Sequence, residues 1–252
     1  MRCRTKGFLS QWSTTTGTSV GSPKTITRLA RRAFREGANA VFALDADEFL
    51  KLSSRPAFDR WMTIVPPPCC VAVEWQTYLP QSTTHVAGAP VSLECRRGIE
   101  AHGLHKVLLT RAFAQAPAAS VGPGNHLVLM DGPLQDLSTR PVQLLICPPI
   151  VAAIAHLPVR SVDQIVRKVR RGWTQRMKTD PTERTLSVHW RDLYADFASR
   201  GPPDAERYRT LAVNYGLAME HWQPVAAVPI IVDPVRMMDS NRYAALVRPL
   251  AA

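Results

Sequence analysis

The most regular hydrophobic pattern in the chain runs from Pro23 to Gly37. Ile26, Leu29, Ala30, Ala33 and Phe34 recur at i, i+3, i+4, i+7 and i+8, one face of a helix. Arg28, Arg31, Arg32 and Arg35 fall mostly on the opposite face; a solvated face is the plainer reading, contact with phosphate the alternative. Ser22 is placed to cap this helix, Pro23 to occupy its first position and Gly37 to end it. After a short link, Ala40 to Leu44 is uninterrupted apolar sequence of strand length, which predicts a buried parallel strand. It stops abruptly at Asp45-Ala46-Asp47-Glu48. Helix, turn, strand and then acids at the strand's carboxyl end make half of an α/β unit, and open α/β sheets bind ligands at that end.

Further strands are expected at Val71 to Trp75 and at Lys106 to Thr110. The run from Val142 to Val159 is apolar enough to suggest a spanning helix, but Pro148 and Pro149 interrupt it. It reads instead as two short buried strands, Gln143 to Ile146 and Ile150 to Ala155. Residues 10–22 and 76–104 read as mostly loop, as do 115–139 apart from Leu127 to Met130. A second strong helix starts at Ser161, where Ser161 and Gln164 form a capping box. Val162, Ile165, Val166, Val169 and Trp173 line one side of it, and Arg167, Lys168, Arg170 and Arg171 crowd the rest. Looser helical segments follow near His189 to Ser199 and Pro203 to Glu220. From Pro224 onward the chain reads as an ordered tail or strand wrapped on the core, or as disorder.

Composition narrows the setting. The chain has 252 residues, 46% hydrophobic, which is enough for a sizeable core. A net charge of +11 favours anionic partners: phosphorylated substrates, an anionic membrane surface or nucleic acid. The five cysteines are odd in number and show no C-x-x-C spacing, so neither a disulfide framework nor a zinc site is expected. Reduced thiols and the lack of an apolar stretch behind the basic N-terminus predict a cytoplasmic protein, with a peripheral place at the inner membrane face open to it.

The acidic cluster is the sharpest chemical feature. Asp45, Asp47 and Glu48 repel one another unless a cation neutralises them. Mn²⁺ or Mg²⁺ take such oxygen ligands and share them with substrate phosphates. The plainer alternative is an acidic turn in which Asp47 caps the next element. Haloacid-dehalogenase-like phosphatases also end a strand in Asp-x-Asp, with Thr or Val at the fifth position. Here that position is Phe49, and no strand-end Lys followed by paired Asp is seen later.

A second region adds to the first. In His156-Leu-Pro-Val-Arg160-Ser161, a strand ends in His and leads through a turn into the helix carrying Lys168 and ending near Gly172. Together with Asp45-Ala46-Asp47-Glu48-Phe49, and with His105-Lys106 and Gly124-Asn125-His126 between them, this resembles a bacterial subgroup of glycosyltransferase family 2-like proteins. The resemblance covers residues 25 to 175, about 60% of the chain. It implies a GT-A-like, Rossmann-like mixed sheet flanked by helices over residues 1–178, with a C-terminal helical extension and tail over 179–252. The family's usual first strand, helix and strand are not evident ahead of Asp45, so a truncated and inactive form is one expectation. The implied activity is transfer of a sugar from a nucleotide-sugar to a carbohydrate or lipid-linked glycan acceptor. By the same resemblance, Asp45, Arg160 and Lys168 bind the donor, and Asp47 and His156 bind Mn²⁺ or Mg²⁺. Glu48, Trp75 and His126 contact acceptor or donor. The general base is open among Glu74, Glu100 and Asp131. A basic, non-catalytic interaction protein is the remaining alternative; no specific nucleic-acid motif is present.

Overall fold

The computed structural model describes residues 23–81, 93–100, 103–130, 142–179 and 188–235. In chain order its elements are α1 (Pro23–Arg35), β1 (Ala40–Phe42), β2 (Glu48–Leu52), α2 (Arg55–Thr63), β3 (Cys69–Thr77), β4 (Leu93–Arg97), β5 (His105–Thr110), α3 (Arg111–Gln115), β6 (Ala119–Val121), β7 (Val128–Met130), β8 (Gln143–Ile146), β9 (Ala152–His156), α4 (Val162–Thr179), α5 (Val188–Arg200), α6 (Ala205–Asn214) and β10 (Ile230–Val235). They form a mixed α/β fold, a curled mixed sheet flanked by helices. No helix among the described residues is long and apolar enough to cross a membrane.

β3 is the centre of the sheet, and Cys69 to Val73 are buried. β5 pairs antiparallel along one side of it. On the other side, β8 runs parallel to its first half and β9 parallel to its second. β1 closes one end on β5 and β2 closes the other on β9, both antiparallel. The order β1-β5-β3-β9-β2 therefore puts β1 and β2 at opposite edges, although only Ala43 to Asp47 separate them. Laid flat, four strand spacings measure roughly 19 Å. With Asp45 to Glu48 folded into a turn, the chain from Phe42 to Glu48 reaches at most about 17 Å. The sheet curls until its two edges approach, and the acidic turn spans the gap between them.

This arrangement corrects the sequence reading of Ala40 to Leu44. The strand is three residues long, half-buried and antiparallel to its one neighbour, and Leu44 is exposed. Gln143 to Ile146 is a strand but not a buried one, because β8 lies at an open edge with Leu144 and Ile146 exposed. Residues 76–104 are not merely loop, since β4 forms there and pairs with β10. β6 and β7 likewise form a hairpin within 115–139. Of the readings open for the chain beyond Pro224, the strand holds over residues 230–235, where β10 lies along β4.

Three side-chain caps start the helices around the site. Ser54 caps α2 by accepting from Ala57 N–H at 3.2 Å. Thr110 ends β5 and caps α3 at once, accepting from Ala112 N–H at 3.3 Å. Ahead of α4, Ser161 Oγ accepts from Gln164 N–H at 3.2 Å. Gln164 Oε1 does not return to Ser161 but reaches past it to Arg160 N–H at 3.0 Å. The expected box is thus half formed, with its return bond shifted by one residue.

α4 does not stop at Gly172 but runs on to Thr179. α5 packs close at Gly172: an added Cβ there would lie 2.4 Å from the Trp190 ring. α4, α5 and α6 share one core of Val159, Ile165, Val169, Leu193, Phe197 and Leu211. The helix expected over Pro203 to Glu220 ends at Asn214, and Gly216, with φ 93°, turns the chain away. Ser22, the expected cap of α1, lies outside the described residues. Leu29, placed on the buried face of α1 by its spacing, is exposed, so that face is narrower than the pattern suggests.

Candidate functional site

The acidic turn is closed by its own atoms. Glu48 N–H donates to Asp45 O at 3.1 Å, and Asp45 N–H donates back to Glu48 Oε2 at 2.9 Å. Leu157 N–H donates to Asp47 O at 2.9 Å and ties the turn to the end of β9. Three carboxylates are thereby fixed at the gap between the sheet edges.

Two ammonium groups come to meet them. Lys106, from β5, is 1% exposed. Its Nζ donates to Asp45 Oδ2 at 2.8 Å and to Gly124 O at 2.7 Å, and lies 2.9 Å from Glu48 Oε1. Lys168, from α4, donates to Asp47 Oδ2 at 2.6 Å and sits 4.9 Å from the centre of the Tyr215 ring. His156, opposite Glu48 in the β2–β9 register, brings Nε2 to 3.7 Å from Asp47 Oδ2. Trp75 stacks on His156 with ring centroids 4.0 Å apart, and His126 lies 5.2 Å from Trp75.

His126 is held by an unusual loop. Gly124 and Asn125 both have left-handed backbones, at φ 66° and 60°. Asn125 Nδ2 donates to Ala43 O at 3.2 Å, and a Cβ on Gly124 would come within 2.6 Å of the His126 ring. His126 Nδ1 is 2.8 Å from His105 O. A carbonyl only accepts, so Nδ1 carries the proton and Nε2 is left as an acceptor.

The electrostatics follow from burial and pairing. Burial pushes the Asp47 carboxyl up, but the His156 ring and the Lys168 ammonium outweigh it and hold Asp47 below the carboxylate range. Burial lowers His156 to about 4 against the opposing pull of Asp47, so the ring is neutral at pH 7. Burial raises Glu48, with Lys106 opposing. Burial lowers the Lys168 ammonium, and Tyr215 and Asp47 more than reverse it. Burial also lowers His126.

The residues do not make a free-standing metal site. Among the described residues no group of three or more His, Cys, Asp or Glu side chains converges to hold an ion. Lys106 and Lys168 occupy the places beside the carboxylates. His156 Nδ1 is buried without a hydrogen-bond partner, whereas a ligating histidine ordinarily has its second nitrogen anchored. Asp47 and His156 form a two-donor pair that suits only a cation shared with a phosphate ligand.

The other expected residues are placed as follows. Glu48 has a side chain 0% exposed and is sealed by Lys106, so it orders the turn and does not face an acceptor. Trp75 is spent on His156 rather than offered as an open stacking platform. Arg160 makes none of the cluster's contacts, and its Nε is buried without a partner. Glu74 alternates away from Trp75 along β3 and accepts from Gln76 at 3.2 Å. Both carboxylate oxygens of Glu100 are taken by Thr77, at 2.6 and 2.8 Å. Asp131 lies outside the described residues. Sequence reasoning assigns no role to Tyr215, Asn125 or the Lys106 side chain. Of these Lys106 alone carries a signal, as a lysine inside an otherwise apolar strand.

No family model, no curated protein and no solved structure matches this chain.

Proposed function

We propose that the chain is a GT-A-type glycosyltransferase acting on a nucleotide-sugar and a carbohydrate or lipid-linked acceptor. One observation carries the reading. Residues far apart in sequence, on β1–β2, β3, β5, β9 and α4, meet around a single Asp-Ala-Asp-Glu turn. A fold that needed only an acidic cap would not bring a buried lysine, a second lysine and a stacked neutral histidine to it.

In this reading Asp45, with a side chain 55% exposed, accepts hydrogen bonds from donor hydroxyls. Lys168, with a side chain 24% exposed, turns from Asp47 toward the diphosphate and stabilises its charge as the sugar departs. His126 presents Nε2 as an acceptor toward a hydroxyl. Lys106 keeps the turn rigid from below. Asp47 and His156 would hold a divalent cation, which would supply further charge neutralisation at the diphosphate.

The test is release of UDP or GDP from a panel of nucleotide-sugars, with and without Mn²⁺, by wild type and Asp47→Asn. Release that disappears in the variant is expected. Release of inorganic phosphate from phosphomonoesters, dependent on Asp45, would instead indicate a phosphatase. Salt-dependent binding of polyanions with no turnover would indicate a basic interaction protein.

A further inference from the structure

A second feature lies away from the acidic turn, on α1. Lys24, Arg28, Arg31 and Arg35 fall at i, i+4, i+7 and i+11, a single stripe along the helix. The stripe forms one wall of a groove of about 520 Å³, whose other wall is the β6–β7 hairpin with Val121 and Leu129. The groove is built rather than incidental. Arg31 Nη2 donates to the carbonyls of Ala116, Pro117 and Ala119 at 3.0, 2.9 and 2.7 Å. Val121 N–H donates to Thr27 Oγ1 at 2.9 Å, fixing α1 to β6. Lys24, Arg28 and Arg35 are exposed, and among the described residues none makes a side-chain ion pair or hydrogen bond. Like charges at i, i+4 destabilise a helix, so the stripe suits a site where an anion relieves the repulsion.

We propose that this groove docks the protein on an anionic bilayer by seating lipid phosphate headgroups. The three free cations meet phosphate, while exposed Leu129 and its neighbour Leu127 offer apolar contact at the level of the acyl chains. Among the described residues the groove has no aromatic side chain in its lining, which disfavours single-stranded nucleic acid, where bases stack on aromatic rings. The docking surface stands independently of the glycosyltransferase reading.

Co-sedimentation with phosphatidylglycerol–phosphatidylcholine vesicles tests it, against vesicles of phosphatidylcholine alone. The variant Lys24→Gln/Arg28→Gln/Arg35→Gln is predicted to bind anionic vesicles about a hundredfold more weakly. The control Arg167→Gln/Arg170→Gln/Arg171→Gln removes equal charge from the exposed face of α4 and is predicted to bind like wild type. Leu129→Ser is predicted to weaken binding without changing its salt dependence. Far-ultraviolet circular dichroism checks that each variant is folded. Equal loss in the two triple variants would overturn the proposal, as would equal binding to neutral vesicles or no binding by folded wild type. Binding of inorganic phosphate in the groove without vesicle binding would also overturn it, and would make the groove a soluble-anion site.

Discussion

Of the clusters of partly buried charge among the described residues, two differ in a way that separates a structural tie from a site. On β10, Asp233 meets Lys51 of β2 and Arg96 of β4, and its backbone carbonyl accepts from Tyr78 Oη at 2.9 Å. One carboxylate there answers to two cations, and the result is a strap that holds β10 on the sheet. At the acidic turn, three carboxylates face two ammoniums and a neutral histidine. His156 Nδ1 and Trp75 Nε1 are buried there without hydrogen-bond partners. Ion pairs alone do not mark function; buried polar atoms left unsatisfied around them do so better.

The largest expected effect is at Lys106. Lys106→Met leaves Glu48 buried and unpaired, which should cost about 3–5 kcal/mol in urea unfolding. Adding Glu48→Gln should recover much of that loss; no recovery would mean that Lys106 acts through Asp45 or Gly124 instead. At the strap, Asp233→Ala should cost about 1–2 kcal/mol, because its partners are partly exposed and can rehydrate. A larger loss there than at Lys106 would reverse the comparison. The remaining effect is in pH dependence. The unfolded chain takes up the His156 proton near 6.5, the folded chain only near 4. Stability should therefore fall as pH drops from about 6.5 to 4, and His156→Gln should flatten that part of the curve. An unchanged slope in the variant would show that His156 is not the group responsible.

Much of the fold is legible in local sequence. Periodicity and caps locate α1, α4, α5 and the cores of β3, β5 and β9, because those elements bury a regular face. β2 is hidden because it begins with Glu48 of the acidic turn and carries Lys51, so it lacks an apolar run. β4 is hidden for the same reason, by Glu94, Arg96 and Arg97. α2 has a readable start in Ser54 and Pro56, but its short apolar face lacks the repeats that mark the longer helices. Which strand lies at an edge is set by non-local pairing, and nothing in Ala40 to Leu44 betrays that β1 has one neighbour. At the site, Asp45, Asp47, His156 and Lys168 are reachable from spacing and resemblance. Tyr215 is not, because a tyrosine following a helix carries no signal until the fold brings it beside Lys168.

The most direct measurement is calorimetric titration of UDP and GDP into wild type, Asp47→Asn and Asp233→Asn, each shown to unfold cooperatively. Binding by wild type and Asp233→Asn with loss in Asp47→Asn is the predicted result. Equal binding by Asp47→Asn, or no binding by folded wild type, would contradict the assignment of the acidic turn as a nucleotide-sugar site.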